Sequence, residues 1–256
     1  MNHEASKLKG LLWVFIACII GLMIGGGSSI LVDVTPRKFE NKLQNIVDPQ
    51  FADRGCRENP DADLALKKLI SRIYPIDQTD KTYNIDVRVV KDHDINAYAE
   101  LGGHIFINTG LLQQARSPEE LAGVIAHEIG HVQHRDIFRA FVAKFFTYEA
   151  VHLVFQGEVD SSSYWTKFFL DMGFSRKQEA RADEAGLLRL QKAHVDNSGL
   201  RDFFQRMEAM DNWPSFISDH PSDSDRLVKV EKYQNHGSTP ILSKKEWSNL
   251  KNYCKK

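Results

Sequence analysis

The residues with the clearest chemistry lie in one stretch, His127-Glu128-Ile129-Gly130-His131, which has the H-E-x-x-H pattern. On a helix with about 3.6 residues per turn, positions i and i+4 lie about 40° apart around the axis, so both imidazoles point to the same side. Two such imidazoles can share a zinc ion. Glu128 points elsewhere but lies close enough to take a proton from a water at the metal. The pattern therefore predicts a zinc site with Glu128 as general base.

The sequence before this pattern predicts the helix that the site needs. Ser117 can serve as the N-cap and Pro118 suits the first helical position. Glu120, three residues after the cap, completes a capping box. An apolar stripe at helical spacing then allows the helix to dock in the core: Leu121, Val124, Ile125, Ile129 and Val132.

A zinc hydrolase needs a third protein ligand and an open fourth position. The three-histidine pattern H-E-x-x-H-x-x-G-x-x-H is excluded, because His134 and Ile137 stand where it has glycine and histidine. Downstream, Glu179 and Asp183 form an i, i+4 pair in a helical sequence. One carboxylate can bind zinc while the other accepts an N–H from a ligand histidine. Spacing alone leaves Glu184 as a competing ligand.

The remaining pattern predicts an α+β fold that is mostly helical, with a small sheet. Tyr83–Val90 alternates apolar and polar side chains as a half-buried strand does. A second strand follows Gly102-Gly103, and we expect it at a sheet edge beside the H-E-x-x-H helix, where it can pair with an extended substrate. The alternative is a strand paired on both sides. The residues of this strand are His104, Ile105, Phe106, Ile107 and Asn108.

The N-terminal sequence predicts an export segment. The 23 residues Gly10–Val32 carry no charge, and a helix of that length spans about 34 Å against a hydrocarbon core of about 30 Å. The glycines and serines after Ile24 also resemble a signal-peptide cleavage site. We therefore predict a membrane anchor or a cleaved signal in residues 1–32, a linker in residues 33–58, and the domain that carries the zinc site in residues 59–256.

Charge and cysteines bear on partners and compartment. With 33 Lys+Arg against 34 Asp+Glu there is no basic excess to grip phosphates, so nucleic acid is not an expected partner. Outside the export segment only Cys56 and Cys254 remain, and they are either a disulfide pair or two unrelated thiols. A disulfide and an export segment together predict a body outside the cytoplasm, on the periplasmic side, or secreted after signal cleavage.

HEIGH, followed 48 residues after His131 by the glutamate of SRKQEARAD, resembles the HtpX and type I CAAX prenyl protease family of zinc peptidases. The resemblance extends to Asn96-Ala97-Tyr98 and to Gly102–Phe106, and it covers about residues 60–235. It is strongest to the exported or single-anchor members. It implies a gluzincin-type fold with one Zn²⁺ per chain.

The resemblance also implies roles for single residues. His127, His131 and Glu179 would bind zinc, with Glu179 preferred over Glu184, while Glu128 is the base and Asp183 orients a ligand.

Family members carry a further histidine, which His220-Pro221 matches here, with Arg226 following as a supporting residue near the site. His220 either stabilises the oxyanion, or occupies the open zinc position and holds the enzyme latent, or is an ordinary loop histidine.

The chemistry and the resemblance together predict a zinc-dependent endopeptidase that hydrolyses misfolded or membrane and envelope proteins. Its partners would be protein or peptide substrates, and the membrane through the N-terminal segment. The alternatives are a chaperone-like protein that uses the same cleft with little proteolysis, and a structural anchor that keeps zinc for stability alone. Both alternatives would keep their function when Glu128 is replaced.

Overall fold

The computed structural model describes residues 28–47, 55–56, 59–75, 84–144, 167, 172–209, 216, 219–220, 233 and 238–254. Along the chain, the three strands of a small sheet come after the first three helices and before the other five. The helices are α1 (Ser28–Val34), α2 (Lys38–Val47), α3 (Pro60–Ile73), α4 (Thr109–Gln114), α5 (Pro118–Gln133), α6 (Arg176–Lys192), α7 (Ser198–Glu208) and α8 (Lys244–Lys251). The strands are β1 (Asp86–Val90), β2 (Ala97–Ala99) and β3 (His104–Asn108), with a 3-10 turn at Leu101–Gly103. The predicted α+β class, mostly helical with a small sheet, is confirmed.

The sheet has the order β1-β3-β2, so β3 is its central strand. β3 pairs with β1 in parallel and with β2 in antiparallel register, Tyr98 lying opposite Phe106. The prediction that His104–Asn108 forms a sheet edge is therefore wrong. Ile105, Phe106, Ile107 and Asn108 are all buried, which is typical of a strand covered on both faces. β2, next to α5, is an edge of the described sheet.

The predicted N-terminus of α5 is confirmed. The Ser117 hydroxyl accepts the backbone N–H of Glu120 at 3.2 Å, and Pro118 occupies the first turn. The Glu120 carboxylate does not close the expected capping box: it accepts the Arg116 amide at 2.8 Å and the Arg206 guanidinium at 2.7 Å. The cap holds the start of a helix that is buried from residue 120 to residue 132.

Two glycines allow α5 and α6 to cross in backbone contact. A Cβ at Gly130 would lie 2.7 Å from the carbonyl oxygen of Ala182. On the other helix, a Cβ at Gly186 would lie 3.1 Å from the backbone nitrogen of His127. Real Cβ atoms do not approach backbone so closely as in the first case. The absence of side chains at these two positions sets the distance between the helices.

The range expected to be a linker, residues 33–58, contains helix α2. This helix is attached to the body by two buried contacts. The Glu40 carboxylate accepts the Arg135 side chain at 2.8 Å, and Gln44 donates to the Glu100 carboxylate at 2.6 Å. Packing accordingly divides the chain so that residues 37–136 and 160–256 form one unit, while residues 1–36 and 137–159 form another.

The predicted disulfide between Cys56 and Cys254 is confirmed, with the two Cα atoms 5.3 Å apart. The Cys56 amide also donates to the carbonyl oxygen of Val89 at 2.8 Å. The bridge therefore links the chain beside β1 to the turn after α8.

The predicted export segment lies almost entirely outside the described residues. Among the residues that are described, no helix combines the length and the apolar character that crossing a membrane requires. The anchor or signal in residues 1–32 stays a prediction.

Replacing Gly130 by valine should destabilise the protein and weaken metal binding, because the new side chain would push α6 away from α5. We expect the free energy of unfolding to fall by about 1–3 kcal/mol, the usual cost of overpacking. Urea unfolding and metal titration measure the two effects. Gly173→Val is the control, because the nearest atom to a Cβ there is 3.7 Å away. Equal stability of the two variants would contradict the close crossing.

Candidate metal centre

Three elements bring potential metal ligands together in the interior. α5 carries His127 and His131, α6 carries Glu179, and His220 follows on a separate segment. All four side chains are buried, and their potential ligand atoms lie within 4.8 Å of one another. The structure thus brings together the residues that the sequence proposed as ligands, and His220 with them.

Four of the six separations between these atoms are close to those of a tetrahedral zinc site. Nε2 of His127 lies 3.1 Å from Nε2 of His131 and 3.2 Å from Nδ1 of His220. Oε1 of Glu179 lies 3.3 Å from Nε2 of His131 and 3.1 Å from Nδ1 of His220. Four donors at about 2.0–2.1 Å from a zinc ion would be separated by about 3.3–3.4 Å. Three imidazoles and one carboxylate at this spacing form a donor set that suits zinc.

A carboxylate stands behind each imidazole of α5. Nδ1 of His127 lies 2.9 Å from Asp183, as the sequence predicted for this aspartate, and Nδ1 of His131 lies 3.0 Å from Asp136. A carboxylate in this position accepts a hydrogen bond from the Nδ1–H group, so that the lone pair of Nε2 faces the centre. Both tautomers that metal binding requires are therefore favoured.

Asp136 is the residue that sequence reasoning missed. Arg135 adopts a positive φ of 58° just after α5, and this turn brings Asp136 back beneath His131. Gln178 and Arg181 on α6 also donate to Asp136, at 3.2 Å and 3.0 Å. In the sequence Asp136 is only an aspartate directly before an apolar run, and no spacing rule connects it to His131.

The electrostatics of the cluster favour positive charge at its centre. Burial alone would lower the pKa of His127, but hydrogen bonds to Asp183 and Glu179 outweigh burial and raise it to about 10. Burial alone would raise the pKa of Glu179, but the charge of His220 and the hydrogen bonds from the histidines hold it well below its usual range. A divalent cation at the centre would meet the same field.

Glu128 lies beside the four donors with an unusual lack of support. Both carboxylate oxygens are buried, and neither has a hydrogen-bond partner within the described ranges. Nε2 of His220 lies 3.3 Å from one of them. Burial raises the pKa of Glu128, while the charges of His220 and His127 act in the opposite direction. A carboxylate with a raised pKa and free acceptor positions suits a general base.

Aromatic rings line the cluster. The Phe174 ring stacks on the His131 ring, with centroids 3.9 Å apart and planes 16° apart. Phe216 lies 4.7 Å from His220 and 6.3 Å from His127, centroid to centroid. These rings exclude water from the donors, which strengthens each electrostatic interaction among them.

The other residues singled out by sequence lie elsewhere. Glu184 is exposed and accepts the Tyr233 hydroxyl at 3.2 Å, so it does not compete with Glu179. His134 is half-buried and is not one of the four donors. His104 contacts Asp86 at 3.3 Å. Arg226 lies outside the described residues, so its supporting role stays a prediction.

Removing either supporting carboxylate should weaken metal binding by about 10- to 100-fold, the usual effect of losing the partner of a ligand histidine. The variants are Asp136→Asn and Asp183→Asn, measured by competition with a chromophoric chelator. Asp202→Asn is the control, because that side chain is 53% exposed on α7. Unchanged affinity in both buried variants would show that these contacts do not orient ligands.

Comparison with known proteins supports the resemblance seen in the sequence. The model of Peptidase family M48 matches residues 60–234. The mitochondrial metalloendopeptidase OMA1 of Schizosaccharomyces pombe is 26% identical over 217 residues, which cover 80% of this chain and 63% of that protein. The OMA1 of Arabidopsis thaliana is 32% identical over 190 residues, which cover 73% of this chain and 37% of that protein.

A third relative is the putative beta-barrel assembly-enhancing protease of Vibrio cholerae. It is 27% identical over 166 residues, which cover 55% of this chain and 32% of that protein. The chain thus spans between about a third and two thirds of the length of these relatives. Because the family model matches more than half of the chain, and its match includes the H-E-x-x-H helix and Glu179, the chain belongs to peptidase family M48.

Proposed function

We propose that this chain is a zinc-dependent endopeptidase. The observation that carries the proposal is the buried set of four donors with an unsupported glutamate beside it. A zinc ion bound there would lower the pKa of water and polarise the scissile carbonyl. His127, His131 and Glu179 would hold it. Asp183 and Asp136 would keep the two imidazoles of α5 in the right tautomer.

Glu128 is the proposed general base. Its oxygens accept no hydrogen bond from the described residues, so the carboxylate can take a proton from the attacking water once His220 no longer covers it. The same carboxylate then delivers that proton to the leaving amine. Its buried position and raised pKa favour both steps, because burial stabilises the protonated carboxyl that the second step requires.

The proposed substrate surface is the outer edge of β2. Asn96 and Glu100 bond to β3 through their backbone, at 3.0 Å to Asn108 and 2.7 Å to His104. Strand alternation then directs the N–H and C=O groups of Ala97 and Ala99 away from β3. Ala97 and Ala99 are buried, at 0% and 3% exposure, so these groups become available only when the chain that covers them moves aside. An extended peptide can pair with them beside α5, with little dependence on its side chains.

His220 is proposed to hold the centre latent. Its Nδ1 completes the fourth corner of the donor set, and its Nε2 lies 3.3 Å from Glu128. One side chain thereby covers both the position that substrate needs and the base. This placement supports the latent-ligand interpretation over oxyanion stabilisation, because an oxyanion donor must leave the fourth position open.

The proposed substrates are misfolded or membrane and envelope proteins, in protein quality control. Backbone pairing at a strand edge suits any extended chain, and unfolded proteins offer such chains. One relative is a putative beta-barrel assembly-enhancing protease. The proposed location of the peptidase domain, residues 59–256, is outside the cytoplasm with residues 1–32 as membrane anchor or signal. The disulfide and the uncharged N-terminal sequence support this location.

Glu128→Gln should retain zinc but lose peptide hydrolysis by about 10²- to 10⁴-fold, the usual contribution of a general acid–base group. Zinc content by atomic absorption and degradation of an unfolded protein measure the two properties. Asp202→Asn should match the wild type in both. Equal degradation by wild type and Glu128→Gln would contradict the endopeptidase and favour a chaperone-like binding protein.

His220→Ala should raise the kcat for peptide cleavage by about tenfold, if the open form rises from about a tenth of the population to all of it. Zinc should remain bound, because three ligands stay in place. Steady-state kinetics on an unstructured peptide measure the change. A loss of about 10²- to 10³-fold in kcat would instead identify His220 as an oxyanion stabiliser.

A further inference from the structure

Helix α2 is held against the body by one side only. The Glu40 carboxylate accepts from the Arg135 side chain at 2.8 Å. One turn later, the Gln44 amide donates to the Glu100 carboxylate at 2.6 Å. All four of these side chains are buried. The two contacts therefore fix which side of α2 faces the body and which side faces outward.

The outer face of α2 is formed by Lys38, Phe39 and Lys42. At about 100° per residue, these three lie within about 100° of one another around the helix axis, on the side opposite Glu40 and Gln44. All three are exposed, and Phe39 keeps 46% of its surface accessible. An exposed aromatic ring beside two lysines is typical of helices that lie in the interface of a membrane.

No acidic side chain offsets the two lysines on this face. Residues 28–47 contain two acids, Asp33 and Glu40. Each of them is paired with an arginine, at 2.7 Å and 2.8 Å respectively. Asp33 belongs to α1, and Glu40 lies on the opposite side of α2. The outer face of α2 is therefore positively charged, which complements the headgroups of anionic lipids.

The helix that precedes α2 along the chain exposes aliphatic side chains. On α1, Ile30, Leu31 and Val34 are 68%, 39% and 69% exposed. Grouped aliphatic side chains on a surface mark a contact with protein or membrane. They lie around the end of the uncharged stretch in which we predict an anchor or signal, and an anchor ending at Val32 would keep Lys38 within about 22 Å of the hydrocarbon core. This position along the chain favours a lipid surface over a protein partner.

We infer that the outer face of α2 docks on an anionic lipid surface. The ammonium groups of Lys38 and Lys42 bind headgroup phosphates, and the Phe39 ring enters the interface beside them. The buried contacts of Glu40 and Gln44 then fix the orientation of the body relative to the membrane. This inference shares the proposed membrane location of the chain and does not depend on its peptidase chemistry.

Photo-crosslinking in vesicles tests the contact directly. The full-length chain carries Phe39→benzoylphenylalanine and is reconstituted with vesicles of phosphatidylcholine, either alone or mixed with phosphatidylglycerol. The matched control is Leu64→benzoylphenylalanine, because Leu64 is 67% exposed on α3. Mass spectrometry should find lipid adducts at position 39 in the vesicles that contain phosphatidylglycerol, and few at position 64. Equal lipid adducts at the two positions, or adducts at position 39 with protein alone, would overturn the inference.

The two lysines should supply the preference for anionic lipid. In the chain with the probe at position 39, Lys38→Gln together with Lys42→Gln should lose most of the adduct gained from phosphatidylglycerol. Each base near an anionic surface strengthens binding about fivefold, so the pair carries about 25-fold. Lys67→Gln together with Lys192→Gln is the control, because both lysines are exposed on other helices. Retention of the full gain without Lys38 and Lys42 would contradict the inference.

Flotation of the same samples separates the docked helix from the predicted anchor. A chain that floats with both kinds of vesicle, yet reacts equally at positions 39 and 64, has an anchor and no docked helix. A chain that floats only with the anionic vesicles and reacts at position 39 has a docked helix and no anchor. A chain that floats with neither contradicts both.

Discussion

The close crossing of α5 and α6 is the constraint on which the metal centre depends. Gly130 meets the backbone of Ala182, and Gly186 meets the backbone of His127, so neither helix can move away without opening a gap. His131 and Glu179 lie within one turn of the first contact, and their donor atoms are 3.3 Å apart. A change of one ångström between the axes would carry these donors beyond the spacing of a tetrahedral site. The fold therefore sets the ligand geometry through backbone contact rather than through flexible side chains.

The same crossing concentrates ionisable groups where water is excluded. Three imidazoles and several carboxylates are buried together, and such a set is stable only when its charges and hydrogen bonds are matched. Asp183 is hydrogen-bonded to His127 and Asp136 to His131, and the Arg181 guanidinium in turn donates to Asp136. The hydrogen bonds to Asp183 and Glu179 that raise the pKa of His127 favour positive charge at the centre. Glu128 takes part in this balance through His220, whose Nε2 lies 3.3 Å from its carboxylate.

Much of the site follows from local sequence, because helices repeat regularly. The i, i+4 spacing places His127 beside His131, and the cap at Ser117 sets where their helix begins. Asp136 could not be found in this way, because the turn at Arg135 and not a periodicity brings it to the site. The three residues of β2 are too few for an alternating pattern, so the sequence offered no partner for the outer side of β3. That omission is why His104–Asn108 was expected at an edge.

The proposed chemistry depends on one zinc ion held by the four donors of this cluster. Anomalous diffraction at the zinc absorption edge, on crystals of the zinc-loaded protein, tests it most directly. We expect a single peak about 2.0–2.1 Å from Nε2 of His127 and His131, with the Glu179 carboxylate and Nδ1 of His220 completing the ligands. A peak elsewhere in the protein, or a cluster that holds no zinc at stoichiometric loading, would contradict it.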